Sequence, residues 1–495
     1  MTLLPALPFR ESRFPKARGG GKDTPLRPES LPSAPPTPRP GADPLPMTPA
    51  ARLQAVLDLT EEIDRTARPA DAVIAAFFRA RRRMQDDDRG TVLDLTGALL
   101  RHRARLGWWL DRLGQSDTPR NRLLAWLVLA ERRRPEQVSR LFGGPKGAPA
   151  TLDEGDAALL AKLRGHTVEH PDMPEAVRLE CPDWALAPLR RRFGEAFATE
   201  MQALLTPPPL DLRVNTIKAA RDAVLRDMKR RDLPAEASEI APEGIRIAQS
   251  LSLSRLPGLK TGEVEIQDEG SQLVARLVGA RPGDRVADFC AGAGGKTLAI
   301  AAQMQNRGRI VACDVSEGRL KRAAERFRRA GVHNAETRLL SSETDKWVKR
   351  HKAGFDRVLV DAPCSGTGTW RRNPDARWRP EEEQGLEALV ALQARILASA
   401  ARLVKPGGRL VYATCSLLEE ENGAQVAAFL AAHPAFHPVP LRDAAPDLPP
   451  EVAADPSGYL SLTPARHGTD GFFAAVLDRA DSDPAPTAVT GTPGS

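Results

Sequence analysis

Val286-Ala-Asp-Phe-Cys-Ala-Gly-Ala-Gly-Gly-Lys-Thr297 is the stretch on which the reading of this chain turns. A short apolar run breaks into glycine and alanine and then into Lys-Thr, which reads as a buried strand, a tight turn and the start of a helix. Glycine lets backbone come close to a ligand there, and the N-terminus of the following helix offers it free N–H groups. A phosphate-cradling loop would need Gly-x-x-x-x-Gly-Lys-Ser/Thr, and Cys290 stands where its first glycine belongs. Two readings remain: a dinucleotide turn and an S-adenosylmethionine turn. Both want an acidic residue at the end of the next strand to hold ribose hydroxyls. Asp314, closing Arg309-Ile-Val-Ala-Cys-Asp314, is that acid.

Outward from this turn, strands are expected near 285–290, 309–314, 336–340, 355–361, 409–414 and 471–477, with helices near 296–305, 316–330, 380–402 and 420–431. Such alternation argues for an α/β fold with a mostly parallel, doubly wound, Rossmann-like sheet over 267–479, and for ligands at the carboxyl ends of its strands. Before it, 196–266 reads as a small α+β unit containing Leu212-Arg-Val-Asn-Thr216, and 151–195 as a proline-interrupted linker with helices. Residues 47–150 carry apolar side chains at helical spacing, as in Leu53, Val56, Leu57 and again Leu123, Leu124, Leu127, and predict a basic helical domain. The Pro-, Arg- and Gly-rich stretch 1–46 and the polar stretch 480–495 have too little apolar surface to offset chain entropy and are expected to be disordered tails, with Met47 a candidate start.

The chain of 495 residues is 41% hydrophobic and 27% charged, as expected of a soluble, several-domain protein. No apolar run reaches the ~20 residues that cross a bilayer, and no secretory signal opens the sequence, so the expected address is cytoplasmic with no membrane partner. A net charge of +7 fits a polyanionic partner. Five cysteines without a Cys-x-x-Cys pair speak against a disulfide framework or a metal site. Cys181 and Cys313 read as small buried hydrophobes.

Cys364 and Cys415 are different. Phe355 to Asp361 is a strand that leads through Ala-Pro to Cys364, and Gly408 to Thr414 is one that leads to Cys415. If these strands are neighbours, ~4.8 Å apart, two thiols 51 residues apart in sequence face one cleft beside the glycine turn. Carbon 5 of cytosine is too weak a nucleophile to take a methyl group from a sulfonium directly. A thiolate that adds to carbon 6 makes it an enamine, which is strong enough. That chemistry also needs a proton partner near N3, for which Asp361 is the candidate, and a base that removes the carbon 5 proton before the thiol leaves. One cysteine attacks and the other assists release.

Asp288-Phe-Cys-Ala-Gly-Ala-Gly-Gly-Lys-Thr297, Asp361-Ala-Pro-Cys-Ser-Gly-Thr-Gly368 and Tyr412-Ala-Thr-Cys-Ser416 with Glu420-Glu-Asn422 resemble, in that order, the RsmB/Sun/NOP family of RNA (cytosine-5)-methyltransferases. The likeness runs from about 195 to 479 and takes in Gln267-Asp268, Arg371-Arg-Asn-Pro-Asp375 and His467-Gly-Thr-Asp-Gly-Phe-Phe473. It implies a class I S-adenosylmethionine methyltransferase core preceded by an RNA-binding module. It further implies Cys415 as nucleophile, Cys364 as the release cysteine, and Asp361 in contact with base and cofactor. Cofactor contacts are expected from Cys290, Ala291, Gly292, Ala293, Gly294, Gly295, Lys296, Asp314 and Asp361.

Two departures stand out. The family's Ala-Pro-Gly-Gly-Lys is here Gly292-Ala-Gly-Gly-Lys296, without proline. Where the third strand usually ends in an adenine-contacting Asp, this chain has Leu339-Leu-Ser-Ser-Glu343, which leaves Ser341 as the candidate. For RNA, Trp370 to Arg379 interleaves arginine with tryptophan, so Arg371, Arg372 and Arg377 are expected on phosphates and Trp378 on a base. The expected partner is small-subunit ribosomal RNA or tRNA. Rival readings are a DNA cytosine-5 methyltransferase attacking with the Pro363-Cys364 thiol, and a non-catalytic ribosome-assembly factor.

Overall fold

The computed structural model describes residues 46–482 except 145, 146, 249–255, 379 and 454. The expected tails therefore lie almost wholly outside the described residues. Among the described residues, no helix is long and apolar enough to cross a membrane.

The amino-terminal third is helical: α1 (Pro49–Asp64), α2 (Ala70–Ala80), α3 (Asp86–Arg101), α4 (Arg103–Arg112), α5 (Pro119–Leu129), α6 (Pro135–Ser139) and α7 (Glu154–Leu163). Thr48 and Thr118 each accept a backbone N–H at the start of a helix that has proline in its first turn. That pairing of cap and proline sets where α1 and α5 begin. Val56, Leu59, Val92, Leu99, Leu106, Leu110 and Leu123 are buried among the helices. Three further helices, α8 (Glu175–Arg178), α9 (Asp183–Phe193) and α10 (Phe197–Ala203), lead to a four-stranded antiparallel sheet. It consists of β1 (Leu210–Val214), β2 (Ala235–Ala237), β3 (Gly244–Ile247) and β4 (Val264–Ile266) in the order β2-β3-β1-β4, with α11 (Arg221–Arg230) packed on it.

The remainder alternates. After α12 (Glu269–Leu277) come β5 (Arg285–Asp288), α13 (Gly295–Gln303), β6 (Arg309–Asp314), α14 (Glu317–Ala330), β7 (Ala335–Leu339), α15 (Lys346–Arg350) and β8 (Phe355–Asp361). Then follow α16 (Pro380–Ala401), β9 (Val404–Thr414), α17 (Gly423–Ala432), β10 (Phe436–Val439), α18 (Leu441–Ala444), β11 (Leu460–Leu462), α19 (Pro464–His467) and β12 (Phe472–Arg479). The sheet order is β10-β12-β9-β8-β5-β6-β7, with β11 on β12. Strands β9, β8, β5, β6 and β7 run parallel, while β12 is antiparallel to β9 and β10.

Helices cover both faces, so the central strands read as unbroken apolar runs: Val358, Leu359 and Val360 are wholly buried, as are Leu410 to Ala413. Helix α14 buries Leu320, Ala323, Phe327 and Ala330, a three-four-three spacing that lays one stripe on the sheet. Each large side chain in such a stripe contributes about 1.5–3 kcal/mol by leaving water.

All six expected strands are present, as 285–288, 309–314, 335–339, 355–361, 404–414 and 472–479, with ends shifted by at most five residues. Strands β10 and β11 are additions to the expected set, and Pro438 is tolerated in β10 because that strand is the sheet edge.

Candidate active site

The site is assembled where β5, β6, β8 and β9 end. Asp314 closes β6, and both of its oxygens are engaged by backbone: Oδ2 accepts from Gly292 N at 2.9 Å and Oδ1 from Ser316 N at 2.7 Å. The glycine turn is thereby tied to the end of the neighbouring strand. Each oxygen keeps a lone pair for a ligand hydroxyl. Gly294, at φ 78°, caps the N-terminus of α13 and faces away from that ligand space: a Cβ on it would stand 2.6 Å from the Phe327 ring. Close packing against α14 and the left-handed backbone both require glycine there. A Cβ on Gly292 would meet nothing.

A cavity of about 790 Å³ opens over the turn. Cys290, Ala291, Gly292, Ala293, Gly295, Lys296, Asp314, Ser341 and Asp361 all line it, whereas Gly294 does not, for the packing reason just given. Lys296 Nζ lies 2.6 Å from Asp361 Oδ2. Burial works against the Lys296 ammonium, but Asp361 outweighs it and holds the pKa above the usual lysine value. Asp288, a residue of the cavity wall, accepts from Thr297 Oγ1 at 2.7 Å through Oδ2, while its buried Oδ1 has no hydrogen-bond partner. Burial, reinforced by the charge of Asp361, pushes the Asp288 carboxyl up to about 7. Ser341 donates through both N and Oγ to Asp345, at 2.9 and 2.8 Å, so only its oxygen lone pairs face a ligand. Glu343, two residues on, shares that wall and is paired with Arg395 at 2.8 Å. Sequence reasoning passed over it because it stands off the strand end.

The two thiols meet. Strands β8 and β9 are parallel with Asp361 opposite Ala413, so Cys364 and Cys415 emerge side by side, and their sulfurs are 3.5 Å apart. Both are half-buried. The hydrogen bond to Cys415, with burial second, raises the Cys364 pKa well above the thiol range. Pro363, next to Cys364, lines the cavity, so the pair sits at its rim.

The arginine-tryptophan segment turns out differently from the phosphate-contacting surface expected of it. Arg371 is 4% exposed, with Nε 2.5 Å from Asp470 Oδ1 and Nη2 donating to Gly468 O. Arg377 is fully buried and donates to the carbonyls of Glu180 and Leu204 at 3.0 and 2.9 Å; burial lowers its pKa to about 10. Neither has a face left for phosphate. Arg372 is half-buried between Asp268 and Asp470, and Trp378 is half-buried. Guanidinium forks here satisfy internal carboxylates and carbonyls, and residue type alone does not distinguish that use from a surface one.

A family model described as "16S rRNA methyltransferase RsmB/F" matches residues 275–478, and one described as an RsmF/B-like ferredoxin-like domain matches 181–254. The chain is 30% identical over 426 residues to a probable ribosomal RNA small subunit methyltransferase B of Bacillus subtilis, covering 80% of this chain and 91% of that one. It is 37% identical over 410 residues to the ribosomal RNA small subunit methyltransferase B of Sodalis glossinidius, covering 80% and 90%. Among solved structures, that of PH0851 superposes with a TM-score of 0.72 at 25% identity, over 88% of this chain and 99% of the other.

Proposed function

Since this chain belongs to the RsmB/F family of 16S rRNA methyltransferases, we propose that it methylates carbon 5 of a cytosine in small-subunit ribosomal RNA through a covalent cysteine adduct. The methyl donor is S-adenosylmethionine, and it supplies the electrophilic methyl group. The residues fit that donor: an acid at the end of β6 whose oxygens keep lone pairs for ribose, an open Gly292, and a cavity of about 790 Å³ with Asp288, whose buried Oδ1 is unpartnered, among its wall residues.

The observation that carries the cytosine-5 reading is the 3.5 Å approach of Cys364 and Cys415 at the rim of that cavity. One thiol in such a place has several explanations; two in contact suit a reaction that makes and then breaks a carbon–sulfur bond. Cys415 beside it and burial raise the Cys364 pKa, which suits Cys364 to the later release step and leaves the attack to Cys415. As Cys415 adds to carbon 6, charge builds at N3. Asp361 is the group assigned to face it as proton partner, with the Lys296 ammonium 2.6 Å behind to supply compensating positive charge. Once Cys415 is bonded to the ring, the interaction that most raised the Cys364 pKa is gone. Cys364 then gives its proton to water and, as the thiolate, takes the carbon 5 proton; the freed electron pair re-forms the carbon 5–carbon 6 double bond and expels Cys415 as thiolate.

The test is bisulfite sequencing of unmodified small-subunit RNA treated with the protein and S-adenosylmethionine. A protected cytosine is expected with the wild type and none with Cys415→Ala. Full conversion of every cytosine by bisulfite after wild-type treatment would overturn the reading.

A further inference from the structure

The sheet brings the two thiols side by side, but it does not by itself set their spacing. The last ladder bond between the strands runs from Ala362 N to Ala413 O, and both cysteines lie beyond it, in loops. What spans the loops is a carboxylate that the mechanism above does not use. Glu421 is fully buried. Its Oε1 accepts from Ser365 N and from Gln393 Nε2, both at 2.8 Å, and its Oε2 accepts from Ser365 Oγ at 2.5 Å and from Ser416 Oγ. Ser365 and Ser416 are the residues that directly follow Cys364 and Cys415. The two hydroxyls are also 3.2 Å from each other. One carboxylate therefore holds the neighbour of each thiol, through three of its four bonds, the fourth coming from Gln393. The Glu421 backbone is itself anchored, since Tyr412 Oη donates to its carbonyl at 2.7 Å.

We propose that Glu421 is a positioning residue that sets the spacing of Cys364 and Cys415 by bracing Ser365 and Ser416, and so governs the release step. The spacing stands on the geometry alone; its consequence for release rests on the function proposed above.

Spacing is read without RNA by an aromatic disulfide probe. One thiol displaces an aryl thiolate and forms a mixed disulfide; the second sulfur then attacks the first, gives its proton to water and expels the other aryl thiolate. Peptide mapping identifies the Cys364–Cys415 bond, and its rate of closure reports proximity. Closure is expected to slow about tenfold or more in Glu421→Ala and in the double variant Ser365→Ala/Ser416→Ala, each of which removes bonds that hold the loops. Glu421→Gln should close at nearly the wild-type rate. Its amide oxygen keeps the bonds from Ser365 N and Gln393, and the two hydroxyls turn to accept from its NH₂. In RNA turnover, the double variant should lower kcat and accumulate protein–RNA adduct while KM for RNA stays within about twofold.

Wild-type closure rates in both Glu421→Ala and the double serine variant would overturn the brace, and so would a Gln variant as slow as Ala. If Glu421→Ala does not fold, Ser416→Ala, which leaves three of the four bonds, carries the same test. Slowed closure together with methylation that survives Cys415→Ala would leave the brace standing and refute the proposed function instead.

Discussion

The two halves of this cleft are held by different means. On the cofactor side the glycine turn itself is held by backbone donors on one carboxylate: Gly292 N and Ser316 N both reach Asp314, and every participant in that clamp lies between residues 292 and 316. On the thiol side the bonds are between side chains and long in sequence. Ser365 reaches Glu421 across 56 residues, Gln393 reaches it across 28, and Arg371 reaches Asp470 across 99. A turn made of backbone can be open on its ligand face and still keep its shape. A pair of loops carrying reactive sulfur needs a buried polar network to fix it, and such a network holds only when all its members are satisfied.

The sharpest way to break this contrast is Cys415→Ala. Methyl transfer should fall by at least about 10³-fold, with melting temperature and S-adenosylmethionine affinity, measured by calorimetry, nearly unchanged. A large loss of cofactor affinity would mean that the halves are not separable. Next comes Cys364→Ala, where turnover should fall by about 10²-fold while protein–RNA adduct accumulates on a denaturing gel with labelled RNA. Adduct trapped only when Cys415 is removed would exchange the roles of the two thiols. On the other side, Asp314→Ala should weaken S-adenosylmethionine by about 1–3 kcal/mol, since it unpairs ligand hydroxyls and two backbone donors, while probe-driven closure of the Cys364–Cys415 disulfide keeps its rate. Slower closure would show that the turn supports the thiols after all. The smallest effect is expected of Arg377→Lys. It should lower the melting temperature but leave the salt dependence of RNA binding unchanged, because a buried guanidinium releases no counterions. A salt slope reduced by about 1 would return Arg377 to the RNA surface.

The same contrast explains what was legible in the sequence. The glycine turn, Asp314 and the strands that carry Cys364 and Cys415 could be read because each depends on a run of adjacent residues: apolar for a covered strand, glycine for a close turn, acid at a strand end. Glu421 could be seen only as part of a motif. Nothing in Glu420-Glu-Asn422 says which carboxylate turns inward, and its partners lie in other segments. Arg371 and Arg377 misled for the same reason, as charge in sequence says nothing of the carbonyls and carboxylates waiting in the fold. Glu343 was hidden by a short excursion of the chain past the end of β7.

Gly368 and Gly471 are in backbone contact: Gly471 N donates to Gly368 O at 2.8 Å, Gly368 N donates to Cys415 O at 2.9 Å, and a Cβ on Gly368 would stand 2.3 Å from Gly471 O. Strand β12, which starts one residue later, is an inner strand between β9 and β10. A ribosome making this protein therefore delivers both sulfurs long before it delivers the segment that backs them. During synthesis the nascent chain holds the two thiols before that support exists, and a product released short of residue 471 carries Asp361, Cys364 and Cys415 without the backbone contact at Gly368.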